Sequence, residues 1–343
     1  MVLPFSGSLL SCSDELRDDD AEIEKLKCER NALFLPFFKY DPPVTETGEL
    51  FWISWDVVQL VCKNPNGAIF LGLADDHAPR FAIDIGESLE RWQNISPHRF
   101  EPVRSVAAKL AGSQTSLVAK ARSILKWIAD HRFCSQCGSG NSVLFGGYRL
   151  QCTNLACGAL HFPRIDPVVI MMVVSRDNSK CLLGRSHDYP ERIIAPLAGF
   201  MEPGESIEDA INREVREEVG ISCTDIRFWG NQPWPFPSSL MLGCFATAVT
   251  DQINLNHSEM AFADWFTRSQ LEKIFYDTEG DMVFPDSISI SYHMMRAWMM
   301  DDASIPHPIS LGCCSGKTFL TSKRPYPFDQ KSWRDGADLS LYC

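Results

Sequence analysis

The chain of 343 residues carries 44 acidic and 32 basic residues, a formal net charge of −12 at pH 7, and 45% of its residues are apolar. This length and composition predict two or three globular domains with a sizeable core. The acidic balance argues against a broad nucleic-acid surface, which needs clustered Lys and Arg, but it is compatible with holding the end of a strand in a metal-lined pocket.

The sequence also bears on compartment. No apolar run approaches the ~20 residues that a membrane-spanning helix needs. The opening residues lack a basic start, and the final Leu341-Tyr342-Cys343 differs from an S-K-L-type peroxisomal ending. Thirteen cysteines, an odd number, indicate a reducing compartment with some thiols on metal. We therefore expect a cytoplasmic protein with no membrane partner.

The first 132 residues form two regions without visible catalytic residues. Residues 1–30 are acidic and weakly apolar, so we predict a mobile leader. Residues 31–132 predict a small α+β domain in which Trp52, Trp55 and Trp92 pack in the core. Its predicted elements are strands at 51–61, 68–73 and 80–85 and helices at 103–111 and 113–130.

Four cysteines predict a zinc ribbon over residues 133–165. They form two short pairs on either side of a turn-forming stretch: Cys134 and Cys137, then Cys152 and Cys157. Four thiolates at this spacing fill the tetrahedral coordination of one Zn²⁺ and leave no position for water, so the ion is expected to be structural. Free buried thiols or two disulfides are the alternatives.

Residues 166–300 predict a second domain. The run Val168–Val174 is apolar throughout, as is typical of a strand buried on both faces. Strands are also predicted at 181–185, 193–195, 197–198, 240–249, 265–266 and near Phe228, and a closing amphipathic helix at 288–300. This alternation predicts an α/β fold. Residues 301–343 are rich in Ser, Pro, Gly and Cys without a period, so we expect a peripheral or disordered tail.

The stretch Gly199–Ile221 predicts an acidic helix. Gly-Glu-Ser precedes the helical periodicity and Gly220 follows it, which indicates the start and the stop of the helix. At about 100° per residue, Glu214, Glu217 and Glu218 fall within one arc of roughly 100° beside the apolar face. Carboxylates turned toward a core repel one another and lose hydration unless a cation compensates them.

A hard divalent cation provides that compensation. Mg²⁺ and Mn²⁺ take oxygen ligands and hold phosphate oxygens as well, so the three carboxylates predict a metal site for a phosphate-containing substrate. The alternative is a solvated acidic helix, which most Glu-rich stretches form. The inward arc argues against this alternative.

Position for position, Gly199–Ile221 resembles the Nudix box, the signature of the Nudix hydrolases. The ligands that this resemblance implies for Mg²⁺ or Mn²⁺ are Glu214, Glu217 and Glu218. The resemblance also implies that Gly199 makes the turn before the helix and that Arg213 and Glu205 orient the carboxylates. The box does not name the substrate.

A second informative segment, Asn231–Leu240 (NQPWPFPSSL), begins ten residues after the box ends. Its three prolines stiffen the chain and hold Trp234 and Phe236 at fixed angles. Rigid aromatic rings beside a diphosphate-cleaving helix suit stacking on a nucleobase or a nicotinamide ring. A Pro-rich surface loop packed on the core is the alternative.

This segment resembles the SQPWPFPxS element of the NADH pyrophosphatase branch of the Nudix hydrolases, with Asn231 in place of Ser. That branch carries a four-Cys zinc ribbon directly before the catalytic domain and a further domain before the ribbon, in the order found here. The resemblance covers roughly residues 31–300. The resemblance implies a Nudix α/β/α sandwich with a mixed sheet. It also implies a homodimer, and it leaves the peroxisome as an alternative location.

The branch also implies a substrate pocket and further metal ligands. The pocket residues are Phe162, Phe200, Gln232, Trp234 and Phe236. Phe200 is expected to stack on the substrate ring and Phe162 to reach the pocket across a dimer. Glu259, in a Glu-x5-Trp-Phe context, is implied as an additional metal ligand, and an exposed Glu without a role is its alternative. The backbone carbonyl of Ala198 is a further implied ligand.

The implied reaction is hydrolysis of the diphosphate of NADH or NAD⁺ to a nicotinamide mononucleotide and AMP. Two or more Mg²⁺ or Mn²⁺ ions are expected at the carboxylates, with Glu218 activating water and Arg213 holding the carboxylate geometry. An NAD cap on the 5′ end of RNA presents the same diphosphate and is the alternative substrate. Alternatives of another class are a non-catalytic NADH-binding module and a zinc-ribbon interaction protein. The complete Glu set and the shortage of basic residues argue against these two.

Overall fold

The computed structural model describes residues 3–7, 10–11, 14–86, 88–110, 112–277 and 280–301. These residues belong to one structural unit. The predicted tail lies outside the described residues from position 302 onward. A search of the described helices finds none with the length and apolar character needed to span a bilayer.

The N-terminal region is built on a small three-stranded sheet. In this sheet the central strand β4 pairs in parallel with β1 and antiparallel with β3, and a second pair, β2 with β5, lies apart from it. Aromatic side chains fill the core, where Phe34 stacks on Phe81 at 4.9 Å between ring centroids. The elements of this region are β1 (Leu33–Phe37), β2 (Pro43–Val44), α3 (Trp55–Val61), β3 (Ile69–Leu73), β4 (Pro79–Asp84), α4 (Leu89–Ile95), β5 (Arg99–Phe100), α5 (Val103–Ala107) and α6 (Gly112–Asp130).

The structure corrects one expectation for the N-terminal region and confirms another. The strand predicted at 51–61 is wrong: Ile53 forms only an isolated bridge with Phe34, and α3 occupies positions 55–61. Val58 and Val61 are buried three residues apart, which is a helical spacing, and their β-branched side chains gave the false strand signal. The core role of Trp92 is confirmed: it is fully buried, and its indole N–H donates to the His98 carbonyl oxygen at 2.8 Å.

The predicted mobile leader is corrected by the structure. It contains α1 (Asp14–Arg17) and α2 (Asp20–Lys27), and the second helix buries Ile23 and Leu26 in the aromatic core of the N-terminal region. Nearer the start, Phe5 is buried, and its backbone N–H donates to the Thr115 hydroxyl at 2.6 Å. A few widely spaced apolar residues therefore anchor a segment whose average composition is acidic.

The ribbon is a three-stranded antiparallel sheet in the order β6-β7-β8. Its strands are β6 (Asn141–Leu144), β7 (Arg149–Cys152) and β8 (Leu160–His161). A 3-10 turn, Phe145–Gly147, joins the first two strands. Gly147 lies so close to Ile69 of β3 that a Cβ there would come within 2.5 Å of the isoleucine Cγ2, so a glycine is needed where the ribbon packs on the N-terminal sheet.

The second domain is a six-stranded mixed sheet between helices, as predicted. Strands run in the order β12-β13-β9-β10-β14, and β11 pairs with β9. One face of β9 packs Val169, Met171 and Val173 on α7, and its other face packs alternate residues on α8 and α9. The elements are β9 (Asp166–Val174), β10 (Lys180–Ser186), β11 (Leu197–Phe200), α7 (Ile207–Val219), β12 (Cys223–Trp234), β13 (Ser239–Ala248), β14 (Met260–Thr267), α8 (Arg268–Tyr276) and α9 (Ile290–Met299).

Candidate active site

The acidic helix α7 begins and ends where the sequence predicts. Ser206 and Asp209 form a reciprocal capping box at its start, and Gly220 adopts the left-handed conformation, with φ 71°, at its end. The buried residues that hold α7 against β9 and the neighbouring strands are Ala210, Ile211, Val215 and Val219. This packing fixes the rotation of the helix, so that Glu214 and Glu218 point into the protein while Glu217 lies at its surface.

The carboxylates of Glu214, Glu217 and Glu259 lie near enough to Glu218 to act on its charge. Among the described residues, only the four cysteines bring three or more ligand atoms within 4.8 Å of one another, so the carboxylates do not converge to that extent. The residue Glu218 is 8% exposed, and its Oε2 has no hydrogen-bond partner among the described residues. Burial first, and then the nearby carboxylates of Glu214, Glu259 and Glu217, raise the pKa of Glu218 to about 8. Burial also raises the pKa of Glu214, against the lowering effect of Arg213. Glu259, exposed just before β14, is therefore close enough to act on the same group of charges.

Arg213 holds this arrangement together. Its guanidinium donates to both oxygens of Glu205, at 2.6 and 2.9 Å, and to Glu214 Oε1 at 2.8 Å. It also donates to Glu217 Oε2 at 3.2 Å and to the Phe200 carbonyl oxygen at 2.8 Å. The bidentate hydrogen bonds from Arg213 lower the pKa of Glu205 to about 2. Arg213 and Glu205 are thus placed to orient the carboxylates.

Gly199 has a different structural role from the predicted turn. It lies inside strand β11, paired with Val169 of β9, and the turn before the helix contains Gly204 at φ 93° instead. A Cβ at position 199 would overlap the Glu214 carboxylate. The glycine therefore leaves room for this carboxylate against the strand, a contact between distant residues that local turn signals cannot indicate.

A cavity of about 130 Å³ adjoins Glu218. Glu218 and Ala198 lie among its lining residues, and so do Trp234 and Ser291. Ser291, at the start of α9, is 6% exposed, and its hydroxyl has no hydrogen-bond partner in the described part of the chain. The cavity thus combines an acidic group, an aromatic ring and a free buried hydroxyl. The sequence does not mark Ser291 as a site residue, because a serine near the start of a helix ordinarily indicates a helix N-cap.

Gln232 lines this cavity, but its side-chain amide is already bonded within the protein. Its Oε1 accepts from the Ile290 N–H at 2.7 Å. Its Nε2 donates to the carbonyl oxygens of Ile288 at 2.7 Å and Pro4 at 2.9 Å. The residue is fully buried. It therefore ties β12 to the start of α9 and to the leader.

The four predicted aromatic residues separate into two groups. Trp234 lines the cavity, and Phe236 packs beside it at 5.1 Å between ring centroids. Phe162 and Phe200 are 55% and 61% exposed, and neither ring lines the cavity. Within one chain, Trp234 therefore shares a cavity with Glu218, whereas Phe162 and Phe200 are exposed at the surface, with the Arg149 guanidinium 5.9 Å from the Phe162 ring centroid.

The residues at the carboxylate cluster fit divalent cations. A buried carboxylate oxygen without a hydrogen-bond donor is costly unless a cation takes that place. Glu218 Oε2 is such an atom, and burial raises the pKa of Glu214 even though Arg213 donates to it. All the donors are carboxylate oxygens, which Mg²⁺ and Mn²⁺ prefer.

The cysteines predicted to bind zinc lie together. The Sγ atoms of Cys134, Cys137, Cys152 and Cys157 are all within 4.8 Å of one another. None of the four forms a disulfide, and the Sγ atoms of Cys137 and Cys152 are 3.4 Å apart. Four converging thiols fit one tetrahedral Zn²⁺.

We expect Cys152→Ser to remove zinc and to lower the thermal stability of the protein. Cys152 is buried and supplies one of the four sulfur ligands, and structural zinc contributes directly to folding. Zinc content by mass spectrometry and melting by differential scanning fluorimetry measure both effects. Cys28→Ser is the control, since Cys28 is exposed and outside the cluster. One equivalent of zinc retained by Cys152→Ser contradicts the assignment.

Comparison with known families agrees with this organisation. The NUDIX domain matches residues 165–284. An NADH pyrophosphatase-like rudimentary NUDIX domain matches residues 36–127, which lie in the N-terminal α+β region. No catalytic pattern is visible in the sequence of this N-terminal region.

Similar proteins have related names. The NAD-capped RNA hydrolase of Schizosaccharomyces pombe is 30% identical over 349 residues, which covers 87% of this chain and 93% of that protein. The NAD-capped RNA hydrolase NUDT12 of Macaca fascicularis is 40% identical over 224 residues, 63% of this chain and 48% of its own. The chain thus spans about half the length of the primate relatives. A crystal structure of a NUDIX hydrolase from Nitrosomonas europaea covers 50% of this chain and 91% of its own, at 20% identity and a TM-score of 0.40.

Proposed function

This chain belongs to the Nudix hydrolase family, in the branch that joins an NADH pyrophosphatase-like domain to a Nudix domain, and we propose on this premise that it hydrolyses the diphosphate of NADH or NAD⁺. The products are a nicotinamide mononucleotide and AMP. One observation carries the proposal: the buried Glu218 lines a cavity together with Trp234 and with Ser291, whose hydroxyl has no hydrogen-bond partner among the described residues. Such a cavity suits a ring with polar substituents joined to a diphosphate.

The residues of the chain have separate roles in this reaction. Mg²⁺ or Mn²⁺ ions held by Glu214, Glu217, Glu218 and Glu259 would neutralise the diphosphate and polarise its phosphorus. Glu218 is placed to accept the proton of the attacking water, because bound cations would offset the burial and the neighbouring carboxylates that raise its pKa and would so keep it ionised. The water oxygen bonds to phosphorus as the bridging P–O bond breaks. Arg213 keeps the carboxylates in place.

Product analysis tests the proposal. Purified protein is incubated with NADH, NAD⁺, ADP-ribose or diadenosine polyphosphates, with Mg²⁺ and separately with Mn²⁺, and the products are separated by chromatography. We expect AMP and the matching nicotinamide mononucleotide from NADH or NAD⁺. Release of free nicotinamide, or cleavage restricted to diadenosine polyphosphates, contradicts the proposed substrate. Intact NADH bound without turnover would favour a non-catalytic binding module.

An NAD cap at the 5′ end of RNA is the second candidate substrate. The names of the relatives point to it, and so does a larger groove of about 660 Å³ that Trp234 also lines. Lys120 and Arg164 lie along this groove, Lys120 donating to the Leu71 carbonyl oxygen and Arg164 paired with Asp166, and both would have to exchange these partners to contact RNA phosphates. Contacts to RNA phosphates weaken with salt. If the groove holds RNA, raising the salt concentration should reduce cleavage of capped RNA more steeply than cleavage of NADH.

We further propose that the protein is a cytoplasmic homodimer that contains one structural Zn²⁺ per chain. The exposed Phe162, Ile165 and Phe133 provide apolar surface on and beside the ribbon, where a second copy can pack and bring Phe162 near the partner's site. Light scattering after size-exclusion chromatography measures the mass, and a monomer at micromolar concentration contradicts the dimer. Fluorescence microscopy of the tagged protein tests the location.

A further inference from the structure

Residues 231–238 comprise the end of β12 and the turn that leads to β13, and they are here called the aromatic loop. They are fixed by the N-terminal domain as well as by their own sheet. Arg122, on α6, donates from Nε to the Pro235 carbonyl oxygen at 2.8 Å. Its neighbour Ser123 donates from Oγ to the Pro237 carbonyl oxygen at 3.3 Å. Two consecutive helix residues thus contact carbonyl groups on both sides of Phe236. The loop that carries Trp234 is attached to a different domain at its tip.

Arg122 is itself held in place on the domain side. Its Nη1 donates to the Tyr40 carbonyl oxygen at 2.6 Å and to Asp41 Oδ1 at 3.2 Å. The same Asp41 oxygen accepts the Val103 N–H at 3.0 Å, which joins the turn at 40–41 to the start of α5. Burial lowers the pKa of Arg122, and the side chain is 20% exposed. A half-buried guanidinium with partners in two domains has little freedom to move.

Ring contacts extend this attachment to Trp234. The Arg104 guanidinium carbon lies 4.3 Å from the Phe236 ring centroid and 5.0 Å from that of Trp234. The Arg122 guanidinium lies 5.1 Å from the Phe236 centroid. From the leader, Phe5 meets both rings edge-on at about 6 Å. Cations over ring faces and edge-on aromatic contacts both restrict the angles that a ring can take.

From this geometry we propose that the N-terminal domain acts on substrate binding, with Arg122 as the positioning residue that fixes the aromatic loop and thereby the Trp234 wall of the cavity. The inference rests on the proposed function, because it assigns a role in substrate binding to the N-terminal domain. The sequence of that domain shows no catalytic pattern. A wall that is fixed in advance loses less conformational entropy when the substrate binds. The effect belongs to binding, since the partners of Arg122 are the Tyr40 and Pro235 carbonyl oxygens and Asp41, and none of these is an active-site carboxylate.

Steady-state kinetics with NADH tests the proposal in the full-length protein. Arg122→Met keeps an apolar stem and removes every donor. Losing hydrogen bonds from a charged group should raise KM about tenfold and leave kcat within about twofold of wild type. Arg122→Lys keeps the positive charge but lacks the planar set of guanidinium donors, so its KM should lie between those of wild type and Arg122→Met. It serves as the test variant if Arg122→Met does not fold. An unchanged KM in both variants overturns the proposal.

Arg80→Met is the matched control. Arg80 also lies in the N-terminal domain, donates to the Asn31 and Pro79 carbonyl oxygens, and has its guanidinium 5.9 Å from the Trp52 ring centroid. None of these contacts involves the aromatic loop. We expect this variant to keep the wild-type KM and kcat. An equal rise in KM in Arg80→Met would mean that the domain supports the site only through general stability, which overturns the specific role of Arg122.

A measurement without substrate separates this proposal from the proposed function. Hydrogen–deuterium exchange in peptides covering 231–238 should become faster in Arg122→Met and stay unchanged in Arg80→Met. If wild-type protein fails to cleave NADH, the proposed function fails while the exchange result still tests the attachment. If wild-type protein cleaves NADH and exchange in the loop is the same in all three proteins, the attachment is refuted.

Discussion

Glu218→Gln should fold, retain zinc and lose nearly all turnover of NADH. The substitution keeps the shape of a buried side chain but removes both the base and one negative charge of the metal site. Losing one charge-stabilising group in an active site lowers kcat by roughly 10²–10³-fold, and losing the base adds to this. Turnover measured at saturating Mg²⁺, together with zinc content and circular dichroism, checks the result.

Glu208→Gln is the matched control for this variant. Glu208 lies on the same helix, but it is exposed in the first turn and away from the carboxylate cluster. We expect it to keep wild-type kcat. Near-normal turnover by Glu218→Gln would remove Glu218 from the catalytic role, and an equal loss in Glu208→Gln would attribute the effect to the stability of the helix.

The same variant should change how stability depends on pH when Mg²⁺ is absent. The folded state keeps the Glu218 proton up to about pH 8, whereas the unfolded chain releases it near pH 4.5. The free energy of unfolding of wild-type protein therefore falls as pH rises from 4.5 to 8, relative to a glutamine that never ionises. Melting temperatures of Glu218→Gln should exceed those of wild type at pH 8 and match them near pH 4.5.

Adding Mg²⁺ should reverse that order. A ligand that binds only the folded protein raises its stability, and wild type binds the cation more tightly because it has the full set of carboxylates. We expect Mg²⁺ to raise the melting temperature of wild type at pH 8 by more than that of Glu218→Gln. Equal shifts in the two proteins would place the cation elsewhere.

Gly199→Ala should lower kcat by about 10²-fold, because a displacement of about 1 Å at a reacting centre can have an effect of that size. An alanine Cβ would overlap the Glu214 carboxylate, so this proposed metal ligand must move away from β11. The loss should appear with Mg²⁺ and with Mn²⁺, since the displaced group is common to both. Kinetics with each metal and a crystal structure of the variant test the expectation.

Gly230→Ala provides the comparison for this substitution. Gly230 also lies in a strand of the same domain, and a Cβ there would meet no heavy atom within 4 Å. It should retain wild-type kcat. If Gly199→Ala behaves like Gly230→Ala, the close approach of Glu214 to β11 is not needed for activity.

Regular patterns made much of this fold predictable. The seven-residue apolar run of β9, the cap residues of α7 and the cysteine spacings are local signals, and each is confirmed in structural terms. Helix α3 was not predicted because valine favours strands on average. In the structure, Val58 and Val61 are both buried three residues apart, a spacing that a helix satisfies. In the leader, single apolar side chains outweighed the acidic composition.

The parts of the candidate site that were not foreseen depend on contacts between distant residues. Gly199 and Glu214 meet only when β11 and α7 are packed together. Gln232 finds its partners in the leader and at the start of α9, 228 and 56 residues away from it. Ser291 and Arg122 lie on helices, and no local sequence pattern distinguishes them from other serines and arginines of the chain. Spacing rules cannot indicate such pairings, which follow from topology.

The attachment of the aromatic loop through main-chain carbonyls has a consequence for engineering. Arg122 and Ser123 bind oxygen atoms that every amino acid provides, so these bonds do not depend on which side chain occupies position 234. Replacing Trp234 changes the shape and polarity of the cavity wall, while the two hydrogen bonds remain available to the backbone. This position is therefore the natural one at which to randomise the sequence and select variants with altered nucleotide preference.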